Sequence, residues 1–336
     1  MSADKPTLSS ATPIELSVIC PMYNEGEKIA ASLRKLVAKL EECGRPWELI
    51  LVNDGSTDNS YAEAMSVAAA DPRIRVITYR KNRGRGYAMR RGFEAARGKY
   101  IVTTESDLTW GEDIIAQMIG HLEEQELDLV VASPHMKGGR LENVPPFRQF
   151  LTHFGNALLS RVMPGNLTMN TGMTRAYRRE VIRSLYLEQD GKEIHLEIIA
   201  KASALGFRMG EVPAVLRWEK ERRQRKSSFR PGRLIRSHLL FGFNEYPLLL
   251  FGTIAAIAML AGVGIGLYLL HLSLGGQPTA GRPALLLSVL LIIAGVLVLS
   301  VCFLSFQIRD LRRILYRLQR DIRLRPPAND DTESRS

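Results

Sequence analysis

Two uninterrupted apolar stretches, YPLLLFGTIAAIAMLAGVGIGLYLL (246–270) and PALLLSVLLIIAGVLVLSVCFLSF (283–306), constrain this chain more than any other feature. Neither contains a charged residue. The hydrocarbon core of a bilayer is about 30 Å thick, and a helix needs roughly 20 apolar residues to cross it. Both stretches meet that length with room for tilt. A buried helix of a soluble domain keeps a polar face over such a distance, and these two do not. The segment between them, HLSLGGQPTAGR, is short and nearly uncharged, which predicts a transmembrane helical hairpin. Lys and Arg crowd the outer flanks, EKERRQRKSSFRPGRLIR and RDLRRILYRLQRDIRLR. By the positive-inside rule both termini then face the cytoplasm.

The net charge of +10 over 336 residues raises the question of nucleic acid. The basic residues, however, concentrate beside the spans, where anionic headgroups are the simpler partner, so no nucleic-acid partner is expected. The N-terminal stretch MSADKPTLSSATPIELSV lacks an apolar signal core, and the first 240 residues are expected to remain on the cytoplasmic side. Cys20, Cys43 and Cys302 are scattered without ligand spacing, as in a reducing compartment.

Upstream, residues 15–133 alternate between β-rich runs (ELSVIC, WELILVND, IRVITY, KYIVTTES, LDLVVAS) and amphipathic helical segments such as EGEKIAASLRKLVAKLEEC. That alternation predicts βαβ units and a mainly parallel sheet covered on both faces. Ligands of such sheets bind outside the carboxyl ends of the strands. Those ends are polar here: PMYNE (21–25), NDGSTDNS (53–60), RKNRGRG (80–86), ESDLT (105–109) and SPHMKGG (133–139). Their convergence describes a site for a large, phosphorylated ligand.

Taken singly, each motif has an ordinary reading beside the functional one. Asp54 can accept from a base or ribose, or start an Asx-turn. In NRGRGYAMRRG, Met89 occupies the third glycine position of the dinucleotide fingerprint and the segment follows the third strand, which argues against nicotinamide binding. Gly84 and Gly86, with Arg83 and Arg85, either approach a phosphate or form a plain helix start. Glu105 and Asp107 can converge on one Mg²⁺ or Mn²⁺, or be solvated turn residues. His195, between Glu193 and Glu197, reads as structural. The run RQFLTHFGNALLSRVM fits an interfacial helix or one packed on the sheet.

Together, PMYNE, VNDGSTD, NRGRGYAMRRG, ESDL, TGMTRAYRREV and LGFRMGEVP resemble, in order and spacing, the family 2 glycosyltransferases, most closely the polyprenyl-phosphate branch. The resemblance implies an α/β GT-A fold, Rossmann-like, followed by interfacial amphipathic helices and the hairpin. It implies a nucleotide-contacting loop at Pro21, Tyr23 and Glu25, base contacts at Val52 and Asp54, and a metal motif at Glu105, Ser106 and Asp107 holding Mg²⁺ or Mn²⁺. Arg148 and Thr152 correspond to residues that meet the acceptor phosphate, and Arg222 and Lys226 to a basic loop closing on the donor. The chain departs from the family pattern at Glu105, Asn53, Arg85 and Pro134, where Asp, Asp, Lys or Leu, and Arg are usual, and Thr109 stands where some relatives supply a Gln.

The expected organisation is a disordered N-terminus (1–14), a GT-A domain (15–230), a juxtamembrane amphipathic helix (231–245), the hairpin (246–306), an amphipathic helix (307–325) and a disordered tail (326–336). The expected activity is metal-dependent, inverting transfer of one sugar from a nucleotide sugar, GDP-mannose or a UDP-hexose, to a polyprenyl phosphate at the cytoplasmic face of the inner membrane. Transfer to another lipid or glycan, and a catalytically idle scaffold, are the competing readings. The GVGIG pattern (262–266) permits close helix contact and leaves room for a homo-oligomer.

Overall fold

The structure is a computed structural model and describes residues 13–105, 109–111, 113–145, 149, 165, 167–217, 247–276 and 283–324. One unit is built on a seven-stranded sheet. Its first strands are β1 (Leu16–Met22), β2 (Trp47–Asn53), β3 (Ile74–Thr78) and β4 (Tyr100–Thr103), with helices α1 (Lys28–Glu42), α2 (Ser60–Ala70) and α3 (Arg85–Ala95) between them. Next come α4 (Ile114–Glu124), β5 (Leu129–Ser133), a short β6 (Arg140–Glu142), β7 (Arg175–Arg178), α5 (Arg179–Ser184), α6 (Ile194–Ala204), β8 (Met209–Pro213) and β9 (Val215–Arg217).

The strand order is β3-β2-β1-β4-β7-β5-β8, with β6 and β9 forming a separate pair. β2 is buried along its whole length and β1 at all but one position, as expected of central strands covered on both faces. The helices supply that cover through apolar stripes: α1 buries Ile29, Ala30, Leu33, Leu36 and Leu40, at helical spacing. Gly92 lets α3 lie directly on β1, because a Cβ there would come within 2.4 Å of Ile19 Cγ2.

β1, β2, β3 and β4 run parallel, as the alternating pattern predicts. β7 does not: it is antiparallel to both β4 and β5. The chain winds outward from β1 through β2 to β3 and then returns to β4 on the other side of β1. This makes the β1/β4 boundary the topological switch point, where ligands bind in sheets of this kind. β4 leaves the sheet opposite Ile19, whereas β1 continues to Met22. The residues after Thr103 therefore turn away beside the exposed end of β1.

A second group of contacts fixes β7. Arg175 is fully buried, and its guanidinium donates to the carbonyl oxygens of Gly172 (2.8 Å), His195 (2.8 Å) and Asn170 (2.6 Å). The fork thus ties β7 to the preceding loop and to the start of α6. His195 is buried beside it, and neither ring nitrogen has a partner among the described residues. This agrees with the structural reading of that residue.

The other unit contains α7 (Pro247–Leu274) and α8 (Pro283–Leu324) as far as Arg317. Both are long and apolar enough to cross a membrane. They pack closely on each other: Ser288 Oγ donates to the Gly262 carbonyl at 2.8 Å, and a Cβ on Gly295 would meet Met259 Cγ at 2.3 Å. Gly262 of the GVGIG pattern therefore serves a contact within the chain. α8 runs without a break through the basic stretch after residue 306, joining what the sequence suggests as two helices. The expected juxtamembrane helix (231–245) and the run 150–162 lie outside the described residues.

Burial, reinforced by the positive charges of Arg175, Arg85 and Lys192, holds the His195 imidazole well below its ordinary pKa of 6.5. The unfolded chain binds this proton below about pH 6.5 and the folded chain does not, so acidification favours unfolding. The wild type should lose stability between about pH 6.5 and pH 5, by up to about 1.4 kcal/mol per pH unit. His195→Leu should flatten that part of the profile in thermal melts. Identical profiles for the two proteins would contradict the assignment.

Candidate donor site at the carboxyl edge of the sheet

The polar strand ends are tied to one another before any ligand is considered. The PMYNEG turn after β1 is laced to the DGSTDNS turn after β2. Asn24, in the left-handed region at φ 51°, donates its backbone N–H to Ser56 Oγ at 3.0 Å and accepts from the Thr57 N–H at 2.9 Å through its own Oδ1. Ser60 Oγ accepts from the N–H groups of Glu25 (2.8 Å) and Gly26 (2.9 Å), and Asp58 accepts from Gly26 at 3.0 Å. These side chains hold Pro21, Tyr23 and Glu25 at the edge of the site. Tyr23 is 44% exposed.

Asp54 anchors the next loop. Its carboxylate accepts from the Tyr79 hydroxyl (2.9 Å), the Arg83 N–H (2.8 Å) and the Gly84 N–H (3.0 Å to Oδ2), while its own N–H donates to the Met22 carbonyl at 2.9 Å. The ends of β2 and β3 thereby share one buried carboxylate, and the Asp54 backbone N–H ties in the end of β1. Burial, followed by the hydrogen bond to Asp54, keeps the Tyr79 phenol well above the usual tyrosine pKa, so it remains a donor. Val52 is fully buried in β2, between Pro21 of β1 and Ile77 of β3. Gly55 at φ 66° permits the fit, since a Cβ there would lie 2.5 Å from Asn82 N.

The start of α3 is closed by the chain itself. The N–H groups of Gly86 and Tyr87 donate to the Asp190 carbonyl at 2.7 and 3.2 Å. A Cβ on Gly86 would come within 2.2 Å of the Gln189 carbonyl oxygen, and one on Gly84 within 2.5 Å of the Asp190 carbonyl oxygen. These glycines stand at the start of α3, as the helix-start reading has it, and they also admit the backbone of residues 189–191. The 188–190 segment is in turn held by Glu197, which accepts from the N–H groups of Glu188 and Gln189, both at 3.0 Å, and pairs with Lys201 at 2.7 Å. Arg83 lies over the Tyr87 ring at 3.7 Å, and Arg90 pairs with Asp190.

Arg85 points to a different neighbour. Its guanidinium is 3.7 Å from Glu105 Oε1, and the Thr109 hydroxyl donates to Glu105 Oε2 at 3.3 Å. Glu105 follows β4 at the switch point, partly buried, with oxygen donors of the kind a hard divalent cation takes. Ser106 and Asp107 lie outside the described residues, as do Arg148, Thr152, Arg222 and Lys226. Sequence reading passed over one contributor here, Tyr79, which ends IRVITY without a motif of its own. Arg85, read as a candidate phosphate neighbour and as a departure from a family pattern, is set by the fold against Glu105.

The model of the family described as "Glycosyl transferase family 2" matches residues 17–186, just over half of the chain, and takes in the ends of β1 to β4 described above. The chain belongs to that family. As a family 2 glycosyltransferase it has named relatives over nearly its full length. The undecaprenyl-phosphate 4-deoxy-4-formamido-L-arabinose transferase of Pectobacterium carotovorum subsp. carotovorum is 28% identical over 315 residues, covering 93% of this chain and 91% of the relative. The enzyme of the same name from Salmonella paratyphi A is 29% identical over 321 residues, covering 94% and 93%. Among solved structures, glucosyl-3-phosphoglycerate synthase from Mycobacterium tuberculosis with UDP is similar at 21% identity, covering 62% of this chain and 72% of that one, with a TM-score of 0.48.

Asp54→Ala would leave a phenol and two backbone N–H groups of this glycosyltransferase without their acceptor, at about 1–3 kcal/mol for a buried unpaired group. The variant should melt at a lower temperature than wild type with no nucleotide present. An unchanged melting temperature accompanied by weaker donor binding would instead mean that Asp54 acts only on the nucleotide.

Proposed function

We propose that this glycosyltransferase moves a single sugar from a nucleotide-diphosphate sugar, GDP-mannose or a UDP-hexose, to a polyprenyl phosphate at the cytoplasmic face of the membrane. One observation carries the reading: the match to transferases named for an undecaprenyl-phosphate acceptor extends over 93% of this chain, so it takes in the two apolar helices as well as the sheet. An acceptor whose headgroup lies at the bilayer surface explains why such helices accompany a sugar transferase. In this reading residues 15–230 form the catalytic domain, 246–306 a hairpin that places both termini in the cytoplasm, and the flanking basic segments rest on anionic lipid.

The chemistry follows from the charges involved. A phosphate monoester is largely dianionic at neutral pH, its second pKa being about 6, so the acceptor oxygen needs no dedicated general base. It attacks the anomeric carbon in line, forming the new carbon–oxygen bond as the bond to the nucleotide diphosphate breaks, and the anomeric configuration inverts. Arg148 and Thr152 would orient the acceptor phosphate. Tyr23, Val52 and the loop anchored by Asp54 would hold the nucleotide, and Arg222 and Lys226 would close over the diphosphate. Glu105 and Asp107 would hold Mg²⁺ or Mn²⁺, which when bound supplies positive charge to the leaving diphosphate. Arg85, beside Glu105, adds a permanent cation to that end of the site.

Purified protein given a polyprenyl phosphate, divalent metal and a panel of UDP and GDP sugars should form a lipid-linked monosaccharide, and chelation of the metal should stop it. Asp107→Asn should lower turnover about a hundredfold or more, as loss of a charge-stabilising group does, whereas Glu105→Asp should retain transfer. Absence of product across the whole panel would overturn the reading. Equal, severe loss from Glu105→Asp would show that the longer side chain is itself needed.

A further inference from the structure

At the end of the sheet opposite the candidate donor site, a cleft of about 770 Å³ is lined by Arg97, Lys99, Arg178, Arg179 and Arg183, with Pro13 and Ile14 beside them and Glu180 as the one acidic residue in the lining among the described residues. The topology brings these residues together. Arg97 and Lys99 lie just before β4, and Arg178 ends β7, which is antiparallel to β4, so that Tyr100 pairs with Arg178. Arg179 and Arg183 stand one turn apart on α5, and the Arg179 N–H donates to the Lys99 carbonyl at 2.9 Å.

Two of the five cations have carboxylate neighbours. Arg97 pairs with the buried Glu48 at 3.1 Å, a carboxylate that also takes Arg75 at 2.8 Å, and Arg178 is 3.9 Å from Asp128 while donating to the carbonyls of Leu127 and Leu122. Lys99, Arg179 and Arg183 form no ion pair among the described residues; Lys99 lies 4.9 Å from the centre of the Tyr100 ring. The Arg179 Nε–H is cut off from solvent and has no acceptor among the described residues. Such a group costs free energy unless something accepts from it. Desolvation and then the charge of Arg183 lower the Arg179 pKa, and both outweigh the opposite effect of Glu48.

We propose that this cleft binds a phosphate-bearing polyanion at a site separate from the donor site. Guanidinium forks match phosphate oxygens in paired hydrogen bonds, and three cations without an ion pair among the described residues suit a ligand with more than one negative charge. The cavity is larger than a single phosphate group requires. Two sources supply that chemistry, a soluble diphosphate compound or the phosphates of anionic lipid headgroups.

The test uses the full-length protein in phosphatidylcholine nanodiscs at low salt, titrated with inorganic pyrophosphate by calorimetry. Wild type should show a pyrophosphate site whose affinity falls about tenfold or more in Arg179→Gln/Arg183→Gln, the loss of one to two charged hydrogen bonds. Lys99→Gln, which alters neither α5 nor the sheet, should weaken the same site and keeps the test decisive if the double variant folds poorly. Turnover at saturating donor should be unchanged in Lys99→Gln. Repeating the titration in phosphatidylglycerol nanodiscs separates the sources: weaker pyrophosphate binding there identifies headgroups as the occupant, and equal binding identifies a soluble anion. Wild type and both variants binding pyrophosphate alike, or wild type not binding it, would overturn the proposal.

Discussion

A single buried carboxylate organises the candidate site. Asp54 ends β2 and faces two backbone N–H groups of the loop after β3, a tyrosine hydroxyl from that strand's own end, and through its N–H the last carbonyl of β1. Any of these groups left unpaired in a buried setting would cost more than the bond itself contributes. The three loops are therefore coupled: moving one strips the others of partners. That coupling fixes how the loops after β1, β2 and β3 sit at the carboxyl edge of the sheet, and it does so without a ligand.

Close backbone approach extends the same constraint outward. Gly55 rests against Asn82, and Gly84 and Gly86 rest against residues 189–191, contacts that a Cβ would block. The Asp190 carbonyl takes the first N–H groups of α3, the groups that a helix start would otherwise offer to an anion. Positive charge for the site must then come from side chains, and Arg85 provides it by reaching toward Glu105. The longer carboxylate at this position and the arginine opposite it belong to one arrangement.

Much of this was legible in the sequence because parallel βαβ architecture writes itself twice, as alternating apolar runs and as polar strand ends. β1 to β5 follow the expected runs closely, and both apolar helices fall where length and the lack of charge put them. What was hidden depends on contacts distant along the chain. β7 is four residues long, sits inside a stretch conspicuous as a motif, and is antiparallel to both neighbours, which no local pattern specifies. The glycines of NRGRGYAMRRG look the same whether they face a phosphate or a backbone, and only the position of residues 189–191 decides between these. The basic cleft is built from three separate segments, so composition registers its charge but not its convergence.

The central structural claim is that the donor cradle is assembled before the donor arrives and that Asp54 holds it together. Hydrogen exchange at the Arg83 and Gly84 amides, followed in nucleotide-free protein, tests this directly. Slow exchange in wild type and fast exchange in Asp54→Ala, with the amides of α1 unchanged, is the predicted result. Fast exchange in wild type that slows only when a nucleotide sugar is added would contradict it, placing the ordering of the cradle after binding.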